Sequence, residues 1–143
     1  MRVKDKVIIV TGAASGMGKA MVELFAKEGG KLVVADLNLD GAQSVVDNIK
    51  NAGGDAIAVK VDVSSEQDIK LMVDEAIRVY GKLDVLVNNA GIMDGMQPVG
   101  DVTNDLWDRV MNVNAKGAMM ASREAVNHFL EGNGGVILNI ASV

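Results

Sequence analysis

Near the N-terminus four apolar residues, Val7-Ile8-Ile9-Val10, run into Thr11-Gly12-Ala13-Ala14-Ser15-Gly16-Met17-Gly18, and helical spacing begins at once. A second apolar run, Leu32-Val33-Val34-Ala35, ends on Asp36. A strand, a tight glycine turn, a helix and a strand closed by an acid together fit a dinucleotide. Glycines let the backbone approach a pyrophosphate, and the amides of a helix N-terminus point at its negative charge. A carboxylate at the end of the second strand accepts hydrogen bonds from a ribose diol. The spacing is not the common G-x-G-x-x-G: three residues separate Gly12 from Gly16, and one separates Gly16 from Gly18. Tight strand-to-helix turns use glycine for backbone reasons too, so the position of Asp36 carries the argument.

Further along stand Asp62-Val63, Asn88-Asn89-Ala90-Gly91, Asn114 and, near the end, Ser142. Each has a plain structural reading: Asp62 ahead of a helix cap, Asn88 and Asn89 in a turn, Ser142 at a strand end. Asn114 differs, because helical spacing continues on both sides of it and Gly117 follows closely. Both residue types are poor in a helix interior, by up to roughly 1 kcal/mol for glycine relative to alanine. Local disagreement of this kind often marks a functional site.

The elements that must position these residues alternate regularly. Strand-like runs lie near residues 7–11, 32–36, 56–62, 83–88 and 136–141, as almost continuous apolar stretches expected of strands covered on both faces. Between them the spacing turns helical. Met17, Ala20, Met21, Leu24 and Phe25 share one face of the first helix. Ala42, Val45, Val46 and Ile49 do so in the second, and Ile69, Met72, Val73, Ala76, Ile77 and Tyr80 in the third. Asp40 is placed to cap the second helix and Gly53-Gly54 to end it. Ser64 with Gln67 forms a capping-box pattern for the third, which stops at Gly81. Thr103 is placed to cap a fourth helical stretch through Trp107 and Met111, and a further helix covers 113–130. The order predicts a doubly wound parallel α/β sheet, with ligands beyond the carboxyl ends of its strands.

Composition narrows the classes. The net charge of −5 argues against nucleic acid or an anionic membrane as partner. With no cysteine and a single histidine, His128, disulfides and thiolate metal sites are excluded. Nothing near the N-terminus is apolar for long enough to be a signal or a membrane span, which points to a cytoplasmic protein. His128, near a helix end, suits the negative end of the helix dipole, and Trp107 suits the core or helix packing. Met119 and Met120, with Ala115 and Ala118, suit either the core or a subunit contact.

Taken in order, Thr11-Gly12-x-x-x-Gly16-x-Gly18, Asp62-Val63, Asn88-Asn89-Ala90-Gly91, Asn112-Val113-Asn114 and Asn139-Ile140-Ala141-Ser142 resemble the short-chain dehydrogenase/reductase family across the whole chain. Met17 is a small departure, since the family more often has isoleucine there. The resemblance implies a Rossmann fold, interrupted here after its fifth strand, with residues 1–143 as one NAD-binding domain incomplete on its C-terminal side. It implies cofactor binding by Gly12, Ser15, Gly16, Met17, Gly18, Asp36, Asp62, Val63, Asn89, Ala90 and Gly91, with Asp62 at the adenine. It assigns catalytic roles to Ser142, whose hydroxyl would donate to a substrate carbonyl oxygen, and to Asn114, through a helix distortion and a water linked to a catalytic lysine.

The same resemblance favours NAD over NADP. Ser15 and Leu37 stand where NADP-preferring relatives tend to carry a basic residue, and Asp36 would repel a 2′-phosphate. A small carbonyl or alcohol substrate and a homo-oligomer, dimer or tetramer, are implied for the full protein. The family's general acid, a tyrosine with a lysine four residues later, would follow Val143. Tyr80, the single tyrosine, has Asp84 at that spacing and cannot replace it. The first expectation is therefore an alcohol–ketone oxidoreductase, inactive as these residues alone. A non-catalytic dinucleotide-binding module or redox sensor is the second. A methyl transferase of related fold also needs an acid after the second strand, but it leaves the asparagine motifs and Ser142 unexplained. Only Ile92, Met93 and Met96 could line a substrate pocket from this side, so substrate identity stays open.

Overall fold

The computed structural model describes residues 1–142. Five strands, β1 (Val7–Thr11), β2 (Lys31–Asp36), β3 (Asp55–Lys60), β4 (Val85–Asn88) and β5 (Val136–Asn139), form one parallel sheet in the order β3-β2-β1-β4-β5. The two-residue period of the central strands divides the core into two layers. Val7 and Ile9 of β1 and Val33 and Ala35 of β2 pack with α3 (Glu66–Tyr80) and α5 (Ala118–Glu131). Ile8, Val10, Leu32 and Val34 pack on the other face with α1 (Gly16–Lys27) and α2 (Leu39–Asn51). This is the doubly wound α/β architecture predicted from the strand–helix alternation. From β1 the chain winds outward to β2 and β3, then returns to place β4 on the other side of β1. Strand order therefore reverses between β1 and β4, and a crevice opens beyond their carboxyl ends.

Several local details differ from the sequence reading. In α1 the buried residues are Gly18 and Val22, with Met21, Phe25 and Ala26 packed against that core, whereas Met17 and Leu24 face outward. The close approach of Gly18 to the glycine turn sets this rotation. Asn38, not Asp40, caps α2, accepting from Gly41 N–H at 3.0 Å. Ser65, not Ser64, caps α3, and its partner is Asp68 rather than Gln67. Ser64 is already committed, because its N–H and hydroxyl both donate to Asp62 Oδ1. Gly81 ends α3 with φ +79°, and Thr103 caps α4 (Asn104–Met111) as expected.

The fourth helical stretch and the one after it are continuous. A π-helical segment, Asn112–Gly117, joins α4 to α5 without a break in helical backbone angles at Asn112 or Ala118. Trp107 is 60% exposed rather than packed in the core, because α4 buries none of its residues. His128 is not a dipole partner alone: its Nε2 accepts from Leu83 N–H at 3.3 Å, and Leu83 lies ahead of β4, which starts at Val85 rather than at the expected residue 83. Met120 is core and Met119 is half-exposed. β5 is the least covered strand, with Val136 60% and Leu138 44% exposed at the sheet edge.

Candidate cofactor and active site

The glycine turn is shaped by three different constraints. A Cβ on Gly12 would stand 2.9 Å from Ala90 Cα, and one on Gly18 would stand 2.2 Å from Gly12 O. Gly16 has open space around its Cβ direction, but its φ of +53° favours glycine. The turn thus packs flat against the end of β4 while leaving room on its outer side. Ser15 occupies the N-cap of α1 without capping it through its side chain, and no acid lies in the first turn. The positive end of the helix dipole is left to an outside acceptor.

A clasp ties this turn to β4. Thr11, 2% exposed, accepts at Oγ1 from Asn89 N–H and Ala90 N–H, both at 3.1 Å. Its hydroxyl points to Val87 O at 3.4 Å. The Asn89 side-chain amide returns the link, donating to Thr11 O at 3.0 Å and Gly12 O at 3.1 Å. Asn89 is thereby the buckle of the crevice as well as part of its wall. Thr11 opens the glycine motif in the sequence but has no site role assigned there, and its clasp to β4 is visible only in the fold.

Between these parts runs a groove of about 370 Å³. Gly12, Ser15 and Met17 line it from the glycine turn, and Asn89, Ala90 and Gly91 from the end of β4. Asp36, Asp62 and Val63 line its far side. Nine of the thirteen lining residues are ones that the resemblance assigned to cofactor binding; Leu37, Val61, Ile92 and Val113 complete it. Gly16 and Gly18 shape the turn behind the wall. Two acids and no base line the groove.

Asp36 is both a turn residue and a groove residue. Its Oδ2 accepts from Ala14 N–H and its Oδ1 from Asn38 N–H, each at 2.9 Å. A carboxylate offers about four lone-pair sites, so two remain for hydroxyl donors. Asp62 is similar: Oδ1 is held by Ser64, and the backbone N–H of Asp62 donates to Asp68 Oδ2 at 3.0 Å. Ribose hydroxyls at Asp36, an anion over the open side of Gly16, and flat apolar walls at Leu37, Val61 and Val63 fit a dinucleotide.

The two residues expected to act in catalysis lie outside the groove lining. Asn114 accepts from Ile92 N–H and donates to Ile92 O, so its side chain pairs with main chain. The π-helical segment around it is the helix distortion expected there. Gly117, read from sequence as part of the same anomaly, has a packing cause: a Cβ there would meet Val63 O at 2.8 Å. Ser142 is exposed, beyond the carboxyl end of β5. β5 is fixed beside the groove by Asn88, 7% exposed, whose Nδ2 reaches Asn139 Oδ1 at 2.8 Å and Ser122 Oγ at 3.0 Å. Tyr80 is remote, donating to Asp55 Oδ1 at 2.9 Å near the opposite edge of the sheet. Burial, then the Asp55 carboxylate, pushes its phenol far above the usual range.

The family model described as short chain dehydrogenase matches residues 6–143. The chain belongs to the short-chain dehydrogenase family. Among its relatives, the 3beta-hydroxysteroid dehydrogenase 2 of Eggerthella lenta is 42% identical over 136 residues, which cover 94% of this chain and 52% of that protein. An uncharacterized oxidoreductase of Bacillus subtilis, YxbG, is 37% identical over 142 residues, 99% of this chain and 52% of the relative. A hydroxysteroid dehydrogenase structure from Escherichia coli superposes with TM-score 0.92 at 37% identity, covering 99% of this chain and 59% of that one. A short chain dehydrogenase from Mycobacterium avium gives TM-score 0.92 at 36% identity, covering 99% and 54%. The chain spans about half the length of the curated relatives it matches. Short-chain dehydrogenases use NAD or NADP, which agrees with the groove. Among the described residues no helix is long and apolar enough to cross a membrane, and no cluster of potential metal ligands occurs.

Proposed function

We propose that this chain forms the cofactor-binding part of an NAD-dependent oxidoreductase that interconverts an alcohol and a ketone. One observation carries the cofactor choice: Asp36 faces the groove with Leu37 beside it, and no cation lines the walls. A 2′-phosphate would meet a carboxylate and nothing to neutralise it, whereas a ribose diol meets free lone pairs. The hydroxysteroid dehydrogenase names of relatives support a secondary alcohol or ketone as the substrate class.

The residues divide the work. Gly12, Gly16 and Gly18 give the pyrophosphate access to the start of α1, while Ser15 and Met17 bound it. Asp36 takes the adenosine ribose; Asp62 and Val63 border the adenine. Asn89, Ala90 and Gly91 hold the nicotinamide riboside close to backbone. When bound, the nicotinamide supplies or accepts hydride. Ser142 donates a hydrogen bond from its hydroxyl to the carbonyl oxygen, where negative charge develops. Asn114 orders the adjacent loop and, through the π segment, a water path toward the family's lysine. That lysine and its tyrosine follow Val143 in this proposal, and the full protein is a cytoplasmic homo-oligomer.

A second reading is a dinucleotide-binding module without turnover, for which the same groove would serve. Calorimetric titration of the full protein with NADH and NADPH, followed by turnover assays on secondary alcohols, decides between these. NADH is expected to bind at least tenfold more tightly. Equal or tighter NADPH binding overturns the cofactor assignment, and NADH binding without turnover of any alcohol or ketone supports the module.

A further inference from the structure

Met17 carries the one sulfur atom among the groove-lining residues. It is the second residue of α1, and at 67% exposure its thioether is open to solvent. The chain has no cysteine, so thioethers are the only sulfur it offers an oxidant. Met72 and Met120 are shut in the core, and the other exposed methionines, Met93 and Met96 among them, lie outside the groove lining. The flanking Gly16 and Gly18 have no side chains, so Met17 alone projects from this part of the helix.

We propose that Met17 is an oxidation site that controls dinucleotide binding: a peroxide converts its thioether to the sulfoxide and weakens binding, and a bound dinucleotide shields it. This rests on reading the groove as a dinucleotide site. In the step, a lone pair on Sδ attacks one oxygen of hydrogen peroxide; an S–O bond forms as the O–O bond breaks. Sulfur loses two electrons to become the sulfoxide, and the peroxide is reduced to one water, which takes both protons. Two physical effects then oppose the ligand. A flexible apolar contact becomes polar. The new S=O is also an acceptor in the first turn of a helix that Ser15 does not cap, where it competes with the pyrophosphate for the N-terminal amides.

The full protein is treated with hydrogen peroxide with and without NADH, and sulfoxide at each methionine is quantified by peptide mass spectrometry. After the peroxide is removed, NADH affinity is measured by fluorescence. NADH should slow oxidation at Met17 but not at Met93 or Met96. Oxidised protein should show a Kd raised roughly four- to fifteenfold, the factor one or two buried methylene groups are worth. Methionine sulfoxide reductases should restore it. The M17I variant, compared with its own untreated value, should show no peroxide effect.

An unchanged Kd with Met17 converted overturns the proposal, as does the same peroxide effect in M17I. Equal oxidation of Met17 with and without NADH, in protein that binds NADH, overturns the shielding. Untreated protein that fails to bind NADH overturns the groove reading itself, and this inference with it.

Discussion

Asn114 closes both ends of its side-chain amide on the main chain of Ile92, accepting from its N–H at 2.8 Å and donating to its carbonyl at 2.7 Å. The pair imitates a rung of β-sheet between a helix and the loop after β4. It fixes Ile92, a groove residue, to the π-helical segment Asn112–Gly117. One N–H of the amide and one lone pair of its oxygen remain outside this pair.

Asn114→Ala should therefore loosen the loop more than the fold. Both bonds are exposed, so their combined net loss is about 1 kcal/mol, within the usual range for intramolecular hydrogen bonds. Hydrogen exchange at the Ile92 amide should speed up several-fold while the amides of β1 stay protected. Unchanged exchange at Ile92 would show that the staple does not hold the loop in solution.

Gly16 and Gly18 should separate stability from binding. Gly18→Ala places a Cβ 2.2 Å from Gly12 O and 2.7 Å from Asn89 Nδ2, an overpacking with a cost of about 3 kcal/mol. Gly16→Ala meets nothing within 4 Å and suffers only its φ of +53°, a cost of about 1–2 kcal/mol. If a pyrophosphate lies over Gly16, that variant should lose NADH binding far beyond its loss of stability. Denaturant titration beside NADH titration measures both, and a Gly16→Ala protein that binds normally would move the pyrophosphate elsewhere.

The pattern of these costs shows what the sequence could carry. Continuous apolar runs fixed β1 and β2 to within a residue, because buried parallel strands leave no other pattern. The side-chain partners were less legible. Ser64 and Ser65 are equivalent by type, and only the turn made by Asp62 assigns the cap to the second. The outward turn of Met17 follows from Gly18 packing on Gly12, a tertiary contact that helical periodicity does not contain. Asn114 and Gly117 formed one anomaly in sequence but have separate causes, a staple to Ile92 and contact with Val63. Thr11 stood at the head of the glycine motif, but its clasp role was not legible, since it depends on two amides 78 and 79 residues away.

Acid should weaken the fold through Asp84, at the start of β4. Its Oδ2 accepts from Val7 N–H at 2.8 Å and pairs with Lys82 Nζ at 2.8 Å, while Lys6 Nζ lies 3.6 Å from Oδ1. Burial pushes this carboxyl up, but the hydrogen bonds from Lys82 and Val7 and the charges of Lys82 and Lys6 outweigh burial. The pKa is held below its ordinary 3.8. Because the folded value lies below the unfolded one, the contribution is complete above the unfolded pKa and is lost as pH falls through the folded value. Asp84→Asn should be less stable than wild type near neutrality, and the gap should close as pH drops below about 4. Thermal melts of both proteins across that range check it; a gap that widens in acid would contradict the sign.

Leu37 offers a way to change the cofactor without disturbing the turn that Asp36 holds. Asp36 cannot simply be removed, because it accepts from Ala14 N–H and Asn38 N–H, and its loss would release both ends of the β2 turn. Leu37 is 63% exposed, lines the groove and carries no such duty, so an arginine there can reach solvent and the groove without repacking a core. A guanidinium pairs bidentately with phosphate, while the Asp36 carboxylate next to it takes back part of the gain. Leu37→Arg should therefore shift the NADPH-to-NADH affinity ratio by about tenfold, equivalent to about 1.4 kcal/mol, mostly through tighter NADPH. Fluorescence titrations with both nucleotides in low and high salt read it. The shift should shrink as salt rises, as it must if charge at the 2′-position is the cause; a ratio that does not move would place the ribose away from Asp36 and Leu37.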